Sequence, residues 1–300
     1  MSVASVAAMG STKQVLREAA EALRRARVET PQLDAEWLLA AAWNADRAAL
    51  RTGAETPVPP AVVQRFRTMV QRRLAREPLQ YIVGTWGFWD LDLLVTPAVL
   101  IPRPETETLV ERALAIAADR RCLPSGGGAG PCVADVGTGS GCIAIALARG
   151  LGDAEVWATD CAPEALEVAA RNAQRMGVAG RIRFAEADLT AGLPRCAFDV
   201  VVSNPPYVAS ADLTTLEPEL GWEPRGALDG GRDGLDVLRR LIPATAEVLR
   251  PGGSMLLEIG SDQVRSVREI LLAGPWADIA VHLDLGRRPR VVEARRRGDA

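Results

Sequence analysis

Hydrophobic positions follow two different rhythms along this 300-residue chain. From Thr12 to about Ala75 they recur three and four apart, in the sets Val15, Ala19, Ala22, Leu23, then Leu33, Trp37, Leu38, Ala41, Ala42, then Val62, Val63, Phe66, Met69, Val70. That period puts each set on one face of a helix, so residues 1–78 are predicted to form a small helical bundle. Thr30 and Pro31 open its second helix as N-cap and first helical residue, and the proline-rich stretch from Gly53 to Pro60 is a loop. Between Gln80 and Val99 the chain turns rich in Tyr, Trp, Val and Leu with a break at Gly84. This reads as a short hairpin or connector rather than another helix, and 79–103 is assigned as the connector.

From Pro104 onward, strand, loop and helix alternate. Apolar runs at Cys132–Val136, Ala154–Ala158, Ile182–Ala185, Val200–Val202, Ser254–Ile259 and Ile279–Leu283 are separated by helical stretches. The helices fall near Glu105–Ala118, Gly141–Arg149, Pro163–Met176, Leu235–Leu249 and Asp262–Leu272. Continuous apolar strands alternating with amphipathic helices predict an α/β domain over 104–300, with a mostly parallel sheet covered on both faces. The Gly-rich segment from Ser125 to Gly130 reads as a linker loop.

Composition narrows the chemistry. Five cysteines without CxxC spacing and a single histidine, His282, offer almost nothing for a metal site or a histidine triad. Cys142 reads as a small packing residue, His282 as structural, and Trp37 and Trp43 as core or edge packing. No window approaches the roughly 18 uninterrupted apolar residues of a membrane span, and Met1 to Gly10 lacks a basic start and a cleavage pattern. A cytoplasmic protein without membrane attachment is expected. Charge is uneven: net +4 over 1–78, −11 over 79–284 and +4 over 285–300. The arginine-rich tail (Arg287, Arg288, Arg290, Arg295 to Arg297) reads as a solvated terminus.

The run Asp135-Val-Gly137-Thr138-Gly139-Ser140-Gly141 ends a buried strand and begins a helix. Three glycines there allow a sharp turn and let a ligand approach the backbone. The spacing is GxGxG rather than GxGxxG, and the lysine of a phosphate-binding P-loop is missing, so a nucleoside is expected in place of a dinucleotide. A purely structural turn is the alternative. Asp160 ends the next strand, 19 residues beyond Gly141, where a carboxylate can accept from both ribose hydroxyls. Asp188 stands at the end of the third strand, placed to meet an adenine edge with Leu189 against the ring. For both acids the alternative is a helix N-cap. Asp135 either orients the glycine loop or reaches the amino end of the ligand.

Asn204-Pro205-Pro206-Tyr207 closes a buried fourth strand that starts at Phe198. Two prolines fix φ and remove two backbone donors, leaving carbonyls and the Asn204 side chain to face a ligand. Such acceptors suit a planar NH₂ group. They can hold both N–H bonds and aim a poorly nucleophilic nitrogen at an electrophilic carbon, with no basic side chain required before attack. Tyr207 is expected to stack on the planar group.

With these motifs the sequence resembles class I S-adenosylmethionine-dependent methyltransferases that act on planar nitrogens. It is similar in particular to the HemK/PrmC family through Leu33-Asp34-Ala-Glu36-Trp-Leu-Leu39, Pro78-Leu-Gln-Tyr81-Ile82-Val-Gly84, Leu100-Ile-Pro-Arg103-Pro-Glu105-Thr-Glu107 and Glu223-Pro224 through Gly234. The resemblance runs from about residue 14 to 295. It implies a Rossmann-like, seven-stranded, mostly parallel sheet behind a small helical domain that recognises the substrate. It further implies methylation of the side-chain nitrogen of the glutamine in the Gly-Gly-Gln motif of peptide chain release factors, which are then the protein partners. Carried over by motif, Asp135, Gly137, Thr138, Gly139, Ser140, Gly141, Asp160, Asp188, Leu189 and Asn204 would bind the cofactor. Asn204, Pro205 and Tyr207 would be catalytic and, with Pro206, would hold the glutamine amide. Relatives often carry an aromatic where this chain has Leu189. Arg103 to Glu107 either lines the floor of the site or anchors the linker to the sheet. The 27 aperiodic residues between Tyr207 and Leu235 read as a lid or docking loop.

Three other readings were weighed. DNA adenine-N6 methyltransferases share the glycine loop and the Asn-Pro-Pro-Tyr logic, but they must grip and flip a base, which a net −11 catalytic body opposes. Methylation of a ribosomal-protein glutamine would use the same motifs behind a different N-terminal domain. A non-catalytic docking module conflicts with an intact Asn204 and Asp160. The expectation is a monomeric enzyme without direct nucleic-acid binding.

Overall fold

The computed structural model describes residues 10–119 and 130–298. Cys122 and the linker residues from Ser125 to Ala129 lie outside that set. The chain divides into two compact units, one running to Gly84 and taking in Pro218–Trp222, the other comprising 85–217 and 223 onward.

The first unit is helical: Thr12–Arg25 (α1), Pro31–Trp43 (α2), Arg47–Thr52 (α3), Pro60–Leu74 (α4) and Leu79–Val83 (α5). Ser11 caps α1 by accepting the Gln14 N–H, and Asp46 caps α3 by accepting from Ala48 and Ala49. Val15, Leu16, Ala19, Ala20 and Leu23 of α1 and Val62, Phe66 and Val70 of α4 are buried, and the two helices are in contact. The buried face of α2 differs from the one its apolar residues predict. Leu33 is exposed, whereas Asp34 and Glu36 are buried. Both acids are compensated: Arg73 Nε lies 2.7 Å from Asp34 Oδ2, and Arg51 Nη2 lies 3.0 Å from Glu36 Oε2. Paired carboxylates can turn inward where lone ones cannot, and periodicity does not register the partner. Within the same unit Glu219 accepts from Arg73 Nη1 at 2.8 Å and Arg76 Nη2 at 2.7 Å.

The connector corrects a second expectation, because Leu79–Val83 is helical. Pro78 starts this single turn, and Gly84 at φ 88° stops it.

The second unit opens with an antiparallel hairpin, Thr85–Phe88 (β1) and Leu91–Leu94 (β2), followed by Glu107–Ala118 (α6). Then come Cys132–Val136 (β3), Cys142–Gly150 (α7), Glu155–Asp160 (β4), Pro163–Arg175 (α8), Ile182–Glu186 (β5), Phe198–Ser203 (β6), Asp236–Val248 (α9), Leu249–Glu258 (β7), Val264–Leu272 (α10), Trp276–Leu283 (β8) and Pro289–Arg296 (β9). The sheet order is β5-β4-β3-β6-β7-β9-β8, with β9 antiparallel to both neighbours and the other pairings parallel. Successive strand residues face opposite layers: Val133, Val200 and Leu256 pack with α6, α7 and the hairpin, while Ala134, Val201 and Leu257 pack with α9 and α10. Helix α7 is apolar all round and buried throughout most of its length, as a central helix must be.

Strand β9 corrects the reading of the arginine-rich tail. It is inserted between β7 and β8, with Val291, Val292 and Ala294 fully buried. The charges that hid it are anchored on the sheet: Arg295 Nε donates to Gly252 O at 2.9 Å, and Arg296 donates to Leu249 O. His282 on β8 lies 2.7 Å from Glu293 on β9, which also accepts from Arg112 at 2.9 Å.

Candidate active site

In open parallel sheets a ligand site forms beyond the carboxyl ends of the strands, where the strand order reverses. Here that point is β3, flanked by β4 and β6. A cavity of about 430 Å³ opens there, lined by the loops that follow β3, β4, β5 and β6 and by the segment from Ala98 to Thr106. Its size suits a small organic ligand.

The loop after β3 is held from below. The N–H groups of Gly137 and Thr138 both donate to Thr159 O at 2.8 Å, and Gly141 N–H closes the turn on Thr138 O at 2.8 Å. Gly137 and Gly139 adopt φ of 75° and 54°, and a Cβ on either would meet nothing within 4 Å. Their need for glycine is therefore conformational, and their open faces leave the backbone accessible to a ligand. Gly141, at φ 81°, has the same conformational need and less room, since a Cβ there would approach Ala169 Cβ and Ile145 Cδ1 to 3.1 Å. Thr138 and Ser140 are buried and line the cavity.

Asp135 sits beneath this loop, fully buried and absent from the cavity lining. Its Oδ2 accepts the Thr138 hydroxyl at 2.7 Å and the Ala144 N–H at 3.1 Å, while Oδ1 has no hydrogen-bond partner. Burial pushes the carboxyl up to about 7; the bonds from Thr138 and Ala144 oppose the rise, and Asp160 adds to it. These contacts match the loop-orienting alternative. Asp160 bridges two elements, accepting Gly139 N–H at 2.9 Å on Oδ2 and Ala162 N–H at 3.0 Å on Oδ1. The N-cap of α8 is Ala162, and Asp160 itself lines the cavity. Two backbone donors leave the carboxylate further lone pairs for ligand hydroxyls. Asp188 follows β5, starts no helix, lines the cavity and pairs with Arg240 of α9. Leu189 beside it lines the cavity in a left-handed conformation, φ 57°, and its carbonyl accepts the Thr159 hydroxyl at 3.1 Å.

On the far side of β3, Ser203 donates to Val136 O at 2.6 Å, tying the ends of β6 and β3 together. Asn204, Pro205 and Pro206 line the cavity; Tyr207 is not among the lining residues. The Tyr207 hydroxyl donates to Glu258 Oε1 at 3.2 Å, and its carbonyl accepts Gln263 Nε2 at 2.9 Å. Burial, and next the charge of Glu258, push the Tyr207 phenol well above its ordinary range, so it stays a donor. Asn204 Nδ2 donates to Thr106 Oγ1 at 3.2 Å, and Thr106 donates to Glu258 Oε2 at 2.6 Å. Both readings of the Arg103 to Glu107 segment apply. Arg103 and Thr106 line the cavity, while Glu107 accepts the Trp89 N–H of the hairpin at 2.8 Å. Arg103 is itself bonded to buried Glu223, which also accepts Ile101 N–H at 3.0 Å.

Two further supports act through contacts between residues far apart in the sequence. Asn172 of α8, fully buried, accepts Leu94 N–H at 2.7 Å and donates to Leu94 O at 3.0 Å and Ser140 O at 2.9 Å. It clamps hairpin and glycine loop to one helix. The stretch from Asp229 to Gly234 packs on the backbone of Tyr207: a Cβ at Gly234 would meet Tyr207 O at 2.3 Å, and one at Gly230 would meet Tyr207 Cα at 2.8 Å. Neither signal is local in sequence. The loop containing these glycines is also more ordered than its lack of periodicity suggests, with short 3-10 turns at Asp212–Thr215 and Arg225–Ala227 and a bridge from Val208 to Asp229. Cys142 is buried, and that burial pushes its thiol up to about 12, as befits a packing residue.

Comparison with known proteins agrees with this geometry. Residues 14–84 match the PrmC N-terminal domain, and 121–218 match the methyltransferase small domain. A methyltransferase structure from Pyrococcus furiosus superposes with a TM-score of 0.51 at 17% identity, over 79% of this chain and 98% of that one, a likeness of fold. The release factor glutamine methyltransferase of Geobacter sulfurreducens is 44% identical over 89% of this chain and 90% of its own length. The enzyme of that name from Moorella thermoacetica is 43% identical over 95% and 98%. Likeness at this level through both domains means that the chain belongs to the release factor glutamine methyltransferase family, enzymes whose methyl donor is S-adenosylmethionine.

Proposed function

We propose that the chain transfers a methyl group from S-adenosylmethionine to N5 of the glutamine in the Gly-Gly-Gln motif of peptide chain release factors, tuning translation termination. One observation carries the reading of the site. Asn204, whose amide nitrogen is committed to Thr106, lines the same cavity as the glycine loop, Asp160 and Asp188.

The residues present fit the cofactor. Gly137 and Gly139 offer open backbone, Asp160 keeps acceptor capacity for ribose hydroxyls, and Asp188 stands where an adenine amino group can be met, with Leu189 providing aliphatic packing. Asp135 serves the cofactor indirectly through Thr138 and the start of α7. When bound, S-adenosylmethionine supplies a methyl group on a positively charged sulfur, an electrophile that a weak nucleophile can attack.

An amide nitrogen is weak because its lone pair is delocalised into the carbonyl. Asn204 Oδ1 and the Pro205 carbonyl would accept its two N–H bonds, orient the nitrogen and stabilise the positive charge that builds on it. As the nitrogen lone pair formed the new C–N bond, the electron pair of the methyl–sulfur bond would stay on sulfur, and the acidified nitrogen would lose one proton to water. No basic side chain is required before attack, and His282 is engaged elsewhere with Glu293. Tyr207 supports the turn from behind through its hydroxyl and carbonyl bonds.

The helical domain, net +4 over 1–78, is the surface we assign to selection of the release factor, and the catalytic body at net −11 over 79–284 disfavours a nucleic-acid substrate. We further propose that the enzyme is monomeric and cytoplasmic. Among the described residues no helix is long and apolar enough to cross a membrane. Replacing Asn204 by Ala tests the assignment: cofactor affinity by calorimetry is expected to stay near wild type, and turnover to fall at least ~10²-fold. Near-normal turnover would remove Asn204 from this role.

A further inference from the structure

A side-chain amide can present either its oxygen or its NH₂ to a ligand, and only the oxygen can accept from a substrate NH₂. What fixes the choice at Asn204 lies outside the Asn-Pro-Pro-Tyr motif. Glu258, at the carboxyl end of β7, is buried and absent from the cavity lining, and its two oxygens accept two hydroxyls, Thr106 at 2.6 Å and Tyr207 at 3.2 Å. A threonine hydroxyl carries one hydrogen. Having given it to Glu258, Thr106 can only accept, and the group beside it is Asn204 Nδ2 at 3.2 Å. Donation therefore runs in one direction, from Asn204 to Thr106 to Glu258.

We infer that Thr106 and Glu258 are positioning residues that lock the Asn204 amide with its oxygen toward the substrate nitrogen. The inference rests on the role given to Asn204 above and deepens it. Glu258 does not touch the substrate, because it is buried and does not reach the cavity. It acts through Thr106, which does line the cavity. Burial pushes the Glu258 carboxyl up; the hydrogen bond from Thr106, then Arg290 on β9 and the Tyr207 hydroxyl, oppose that rise, and the charge of Glu105 adds to it. Without the threonine hydroxyl the Asn204 NH₂ loses this acceptor, and the orientation that points NH₂ at NH₂ is no longer disfavoured by it.

The test is a double-mutant cycle on the full-length enzyme, with purified release factor and S-adenosylmethionine as substrates. Thr106→Val is expected to lower kcat about tenfold or more, the scale of one oriented hydrogen bond at a reacting centre. Cofactor Kd by calorimetry should stay near wild type, while the thermal midpoint should fall, because the buried Glu258 loses a donor. Thr106→Ser, which keeps the hydroxyl, should restore kcat to within about twofold. Because Thr106 works through Asn204, Thr106→Val combined with Asn204→Ala should be no slower than Asn204→Ala alone. If Thr106→Val does not fold, Thr106→Ala removes the hydroxyl without adding bulk and carries the same expectations. A wild-type rate for Thr106→Val beside a slow Asn204→Ala overturns this inference and leaves the role of Asn204 standing. Additive losses in the double variant also overturn it. A wild-type rate for Asn204→Ala overturns the underlying role instead.

Discussion

Asp160 Oδ2 accepts the Gly139 N–H at 2.9 Å, joining the end of one strand to the middle of the glycine loop built on its neighbour. The other oxygen accepts Ala162 N–H at 3.0 Å, so the carboxylate is an acceptor at both ends before any ligand arrives. A single residue thus shapes the loop and presents lone pairs to the cavity.

Asp160→Asn tests that double duty. The asparagine is nearly isosteric, but one end becomes a donor and must face a backbone N–H, at Gly139 or at Ala162. A half-buried donor facing another donor costs about 1–2 kcal/mol, so cofactor affinity measured by calorimetry should weaken roughly 5- to 30-fold. Unchanged affinity would mean that the loop does not depend on this carboxylate.

The buried acid Asp135 sets a pH dependence of stability. Its folded-state value of about 7 lies well above the ordinary carboxylate value of roughly 4 in an unfolded chain. Between those values the folded state holds a proton that the unfolded state has released. The contribution of Asp135 to stability is therefore complete below about pH 4, declines as pH rises toward 7, and is level above that. In Asp135→Asn the side chain keeps an acceptor for Thr138 and Ala144 but cannot ionise. Thermal midpoints measured from pH 4 to 8 should fall with pH more steeply in the wild type than in the variant. Parallel curves would show that Asp135 does not titrate in that range.

Much of the scaffold was legible from the chain because its signals are local. The buried strand ending in Asn204, the glycine turn before α7 and the acid after β4 each announce themselves within a few residues. What escaped depends on partners far away in sequence. Strand β9 hides because arginines flank Val291, Val292 and Ala294 and Glu293 interrupts them; the carbonyls of Gly252 and Leu249 accommodate Arg295 and Arg296. The burial of Asp34 has no local signal, because its partner Arg73 stands 39 positions on. Thr106 was visible within its motif, but its meaning comes from Glu258, 152 positions away. Tyr207 was expected to stack on the substrate group; its hydroxyl and carbonyl bonds to Glu258 and Gln263 are not inferable from an Asn-Pro-Pro-Tyr tetrapeptide.

Gly234 provides a prediction that separates crowding from backbone strain. Its φ of +74° already disfavours a side chain, and a Cβ there would lie 2.3 Å from Tyr207 O. Gly137, at φ +75°, has open space around it. Both Gly→Ala changes carry the conformational penalty of about 1 kcal/mol or slightly more, but only Gly234→Ala must also push the Tyr207 backbone away. The thermal midpoint should therefore drop further for Gly234→Ala, and its turnover should fall as the Asn204 to Tyr207 turn shifts. For Gly137→Ala the main loss should be in cofactor affinity. Equal midpoints and equal turnover would refute the packing of this loop on Tyr207.

The most direct measurement of the central claim is the position of the transferred methyl group. Purified enzyme is incubated with isotopically labelled S-adenosylmethionine and, separately, with a release factor, a ribosomal protein and duplex DNA, and the label is located by mass spectrometry. The account predicts methylation of the glutamine side-chain nitrogen within the Gly-Gly-Gln motif of the release factor, and its loss in Asn204→Ala. Label on DNA or on the ribosomal protein, with none on that glutamine, would contradict it.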